Sequence, residues 1–141
     1  MKKAFKFVLT LLPFLYMIAI WTMSSLPDDV ILDIPSSSTD RFIKEALHLV
    51  EFAILYILFV SALAANQKLK PTLSLLAALV AGLYGIVDEY HQSFIPYRSA
   101  TLIDVVKDII GVLAVYFHVH YHYFKHERGF LTIIEKLGGK K

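Results

Sequence analysis

Four long apolar stretches separated by short polar connectors set the pattern of this chain, at residues 7–26, 45–65, 72–92 and 102–123. Each is close to the ~20 residues that carry a helix across a ~30 Å hydrocarbon core. The pattern therefore predicts an all-α polytopic membrane protein, a four-transmembrane-helix bundle forming a single domain over 1–141. The first stretch exceeds the usual 7–15-residue core of a signal peptide, and no convincing small-x-small cleavage site follows it. Residues 27–44 are rich in Asp, Ser and Pro and read as a loop with room for a short surface helix, and Thr39 or Asp40 can cap a helix that begins near Phe42. In the third stretch Ala77, Ala78, Ala81, Gly82 and Gly85 predict close approach of a neighbouring helix. After the fourth, a tail over 124–141 contains Phe130–Leu137, whose mixture of apolar and charged residues suits an interfacial helix.

The polar exceptions fall in phase with the helices. Asp88, His91 and Gln92 are three and four residues apart and share one helical face. Pro96 is expected to end that helix, because it lacks an amide hydrogen and disfavours helical geometry at Ile95. Lys44, His48 and Glu51 share a face at the start of the second stretch, and Asp104, Asp108 and Gly111 form a stripe at the start of the fourth. A charge at mid-membrane costs roughly 2.5–3.5 kcal/mol on insertion scales, which favours placement near a span end and facing inward.

Composition sharpens this picture. The chain is 57% hydrophobic and 18% charged, below the ~25% charged typical of soluble domains. It has no cysteine, which excludes disulfides, zinc–thiolate sites and thiol nucleophiles. Its net charge is +2 and its basic residues are dispersed, so nothing points to nucleic acid. Ten of the fourteen basic residues fall in the N-terminal flank, the Asn66–Lys70 turn and the tail. Positive charge marks the cytoplasmic side, so both termini are expected inside, with the tail cytoplasmic. The acidic loop and residues 88–104 then face the extracytoplasmic side of a bacterial cytoplasmic membrane.

At that outer end, three spans and one loop bring together the candidate site. For ligand binding the candidates are Lys44, Asp88, Glu89, Gln92, Arg98, Asp104 and Asp108. Arg98 suits bidentate grip of a phosphate or carboxylate, with Lys44 or Lys107 as a second charge. If the site is catalytic, His48, Glu51 and His91 are the acid–base candidates, since a working histidine needs a carboxylate to orient it. Ser24, Ser25, Ser93 and Ser99 are nearby hydroxyls without a nucleophile's sequence context. His48, Glu51, Glu89 and His91 form a ligand set compatible with zinc or another divalent ion, but no HExxH-type motif supports it. No metal ligand is assigned and the cofactor is left open, as is the oligomeric state. A buried ionic network that only holds the helices in register is the structural alternative. His118, His122 and His126 repeat every four residues, a chelating spacing, yet Tyr116, Phe117, Tyr121, Tyr123 and Phe124 around them favour an interfacial aromatic belt.

These residues carry a resemblance. Ser24-Ser25 before Pro27, then Lys44, His48, Glu51 and Phe52, then Asp88-Glu89, His91-Gln92, Phe94, Pro96 and Arg98, then Asp104-Val105 and Gly111, make the chain similar to the VanZ-like family. Tyr97 stands where that family commonly has glycine, and Asp108 where it commonly has asparagine. The resemblance implies a four-helix membrane protein linked to low-level resistance to the glycopeptide teicoplanin. Its expected partner is a membrane lipid head group, a lipid-linked cell-wall intermediate or an amphiphilic antibiotic at the outer leaflet. An intramembrane enzyme acting on a lipid or wall precursor, a small transporter, and a structural partner subunit are the alternatives.

Overall fold

A computed structural model describes residues 2–26, 37–96 and 101–139, and the side chains of 37–45 and 48 lie outside that description. The described residues are mainly helical, without a strand. In chain order they form α1 (Lys2–Ser24), α2 (Ser37–Ala65), α3 (Pro71–Gln92) and α4 (Leu102–Val119). A π-helical segment, His120–Lys125, follows, and then a short α5, Phe130–Leu137. Helix α2 is the hub and packs against each of the other four α-helices.

Two of these helices, α1 and α3, are long and apolar enough to cross a membrane, and Leu49–Ala65 of α2 is a shorter apolar stretch. Helix α4 carries Asp104, Lys107 and Asp108 within its eighteen residues. The outer surface is strongly apolar: Phe7, Ile18, Leu83 and Ile103 are all at least 60% exposed. Soluble monomers rarely leave apolar patches this extensive against water.

The core is small. Phe52, Leu55, Tyr56 and Val60 of α2 meet Ala77, Ala78 and Ala81 of α3 and Val112 of α4. The alanines let α3 lie close, as small residues do between membrane helices. Gly85 is buried as well, whereas Gly82 faces open space, so it takes no part in the contact expected of it. Gly111 marks the tightest approach, since a Cβ there would overlap the carbonyl of Leu49 on α2. Polar ties link α2 to α3 and bring in α1. Tyr56 and Ser74 are hydrogen-bonded at 2.8 Å, Asn66 donates to Thr10 at 3.0 Å, and Tyr84 donates to the Met17 carbonyl at 2.8 Å.

Boundaries differ from the sequence reading in two places. Helix α2 begins at Ser37, not near Phe42. The Ser, Thr and Asp residues that read as loop are also the residues that suit a helix's first turn, where short oxygens and negative charge meet unpaired amides. At the other end, α4 stops at Val119 and the chain winds on through His120–Lys125 with π geometry. The wider winding interrupts the four-residue histidine spacing that is the weaker alternative to an aromatic belt: His118 and His122 stay 4.3 Å apart, but the His126 ring lies 4.4 Å from Tyr121, five residues back. Pro96 is not the stop itself. Helix α3 ends at Gln92, and Ser93, Phe94 and Ile95 complete a closing turn on the carbonyls of Glu89, His91 and Gln92.

Candidate polar site at one end of the bundle

Asp88, His91 and Gln92 do share a face of α3, and it is turned toward the C-terminal end of α1. Ser24 donates from its Oγ to Asp88 Oδ2 at 2.8 Å, and Gln92 Nε2 donates to the same oxygen at 2.6 Å. The amide also reaches Ser24 Oγ at 3.4 Å. All three residues are at most 2% exposed. A carboxylate is retained at such a place only when its oxygens are satisfied, and hydrogen bonds to a charged acceptor are the stronger kind.

One turn away, His91 Nε2 lies 3.0 Å from Ser25 Oγ, and its ring stacks on Trp21 at 4.0 Å and 19°. The Ser25 hydroxyl donates to the Trp21 carbonyl at 2.7 Å. A hydroxyl has one proton to give, so with that bond made, His91 Nε2–H is the donor to Ser25. This arrangement orients the imidazole; it does not aim a base at the serine.

Glu51 and Asp108 lie near Tyr84 and Gly85. Asp88 and Glu51 both lie within electrostatic reach of Tyr84, and Glu51 also acts on Tyr16. Asp108 is wholly buried, with its Cβ and Oδ2 against Gly85; a Cβ on that glycine would stand 3.3 Å from both. The missing side chain at 85 is thus the room that Asp108 occupies, with Phe52 as a further wall. Glu89 is 4% exposed at the same end of α3. Asp104 sits in the first turn of α4, where it accepts from the Thr101 hydroxyl at 2.6 Å and from Lys107 Nζ at 3.1 Å.

Helices α1 to α4 therefore deliver Ser24, Glu51, Asp88, His91, Gln92 and Asp108 to one end of the bundle. The side chains of Lys44 and His48, and residues Tyr97 and Arg98 altogether, lie outside the described residues. Among the described residues, no three of His, Asp and Glu stand close enough to hold a metal ion. Trp21 and Tyr84 are members of the site that sequence reasoning missed. The signal available for both was the same: an aromatic with a polar tip placed at or near the level of the charged turn.

A family model described as VanZ/LLP1 matches residues 2–123. The chain belongs to the VanZ/LLP1 family. No curated protein and no solved structure matches it. The VanZ/LLP1 match runs from the start of α1 into the π-helical segment and so contains every residue of the polar site, while α5 lies beyond it. Within the VanZ/LLP1 domain, the elements of the resemblance that fall on described residues serve two purposes. Ser24, Ser25, Asp88, His91 and Gln92 make the polar contacts, and Gly111 sets how closely α4 approaches α2.

Proposed function

We propose that this VanZ/LLP1 protein crosses the bacterial cytoplasmic membrane four times with both termini inside. In this reading its polar site faces the outer leaflet and holds the head group of an amphiphile: a lipid, a lipid-linked wall intermediate or a glycopeptide-type antibiotic. Such binding would lower susceptibility to teicoplanin-like drugs. The observation that carries the reading is the set of buried carboxylates, Asp88, Glu89 and Asp108, lodged between apolar helices together with Ser24 and Gln92. Ionisable groups at membrane depth are expensive and mark functional paths by default. Binding is the reading taken forward because it needs only the buried polar groups, with no activated nucleophile, and the Ser25 hydroxyl is engaged with the Trp21 carbonyl.

The test is teicoplanin susceptibility of cells carrying wild type, Asp88→Asn, His91→Ala, Glu51→Gln or Arg98→Ala at matched membrane levels. Loss of protection in the variants is expected. Protection equal to wild type in all four would refute the reading.

A further inference from the structure

The opposite end of the molecule has chemistry of its own. Residues 138–139, just past α5, meet both the start of α1 and the connector between α2 and α3. A Cβ on Gly139 would stand 3.7–3.9 Å from the Lys2 side chain, Gln67 Nε2 donates to the Gly138 carbonyl at 3.4 Å, and a Cβ at Gly138 would overlap the Ala65 carbonyl. Exposed cations lie on the three segments that form this junction: Lys2 on α1, Lys68 and Lys70 in the connector, and Lys125, Arg128 and Lys136 before and within α5. The described acids nearby are Glu127 and Glu135, and Glu135 accepts from the Tyr123 hydroxyl at 3.0 Å.

Helix α5 also has more apolar surface than its docking uses. Leu131 is buried in the core cluster with Ile134 packed beside it. Phe130, Ile133 and Leu137, spaced three and four apart, form a separate stripe that is 42–59% exposed. An exposed apolar stripe flanked by cations is the pattern of a helix lying in the head-group region of an anionic membrane.

We propose that α5 is an interfacial helix whose Phe130–Ile133–Leu137 edge enters the membrane surface while the surrounding cations bind anionic phospholipid head groups. The occupant is the bilayer's own anionic lipid, chosen by charge complementarity. The inference rests on the membrane-spanning reading above, though not on the polar site at the other end.

Because the chain has no cysteine, Ile133→Cys can carry a single polarity-sensitive fluorophore in the full-length protein. The labelled protein is reconstituted into vesicles of phosphatidylcholine, alone or mixed with phosphatidylglycerol. Blue-shifted emission is expected in the mixed vesicles and is expected to reverse on adding salt. Neutralising Lys125, Arg128 and Lys136 to Gln should weaken the anionic-lipid response about fivefold per charge. If that variant misfolds, the salt titration of the otherwise unaltered chain decides alone. Equal emission in both vesicle types overturns the proposal. A shift that follows protein density instead of lipid charge also overturns it, and points to a second copy on the stripe. Alkaline extraction of the same vesicles shows separately whether the chain spans the bilayer, so failure of that reading is told apart from failure of this one.

Discussion

Asp88 Oδ2 receives two donors, Ser24 Oγ and Gln92 Nε2, within 2.8 Å, and all three residues are buried. Ser24→Ala and Gln92→Leu should each lower stability by about 1.5–3 kcal/mol, the range for a hydrogen bond to a charged group. Their double variant should lose less than the sum, because the two donors share one acceptor; thermal unfolding in detergent measures both. Trp21 is the only tryptophan, and its ring rests on His91. Emission from the purified protein should therefore change in His91→Ala and stay unchanged in Tyr90→Ala, whose parent ring packs on Phe94 instead. The shared face of Asp88, His91 and Gln92 was legible from their spacing alone. The part played by Ser24 and Ser25 was not. As hydroxyls beside charged residues they read as nucleophile candidates, and only the crossing of α1 over α3 turns them into a donor to Asp88 and an acceptor for His91.

Among whole elements, two glycines of similar sequence context have opposite roles. Gly111 brings α4 onto the Leu49 carbonyl, while a Cβ at Gly82 meets nothing within 4 Å. Gly111→Ala should push α2 and α4 apart and cost about 1–3 kcal/mol or more, as overpacking does. Gly82→Ala should be neutral or stabilise by up to about 1 kcal/mol through helix propensity. Unfolding midpoints of the two variants in one detergent separate these outcomes. Helix existence was readable because apolar length alone decides it. The start of α2 and the end of α4 were not, because loop residues and first-turn residues share a composition, and a π turn differs from an α turn by hydrogen-bond partners with no residue signature.

For the whole molecule, the polar cluster and the basic cluster lie at opposite ends of α1, which runs from Lys2 to Ser24. Single cysteines at Ser93 and Glu127, both exposed, should report opposite sides in intact cells. An impermeant maleimide is expected to label Ser93→Cys directly and Glu127→Cys only after permeabilisation; the reverse pattern would turn the site toward the cytoplasm. The π-helical segment has a consequence for chimeras between relatives. Shortening it by one residue would shift the exit direction by about 100° around the axis of α4, and a transplanted tail would then swing clear of Ala65. Tails in such grafts would be interchangeable only when each travels with its own winding.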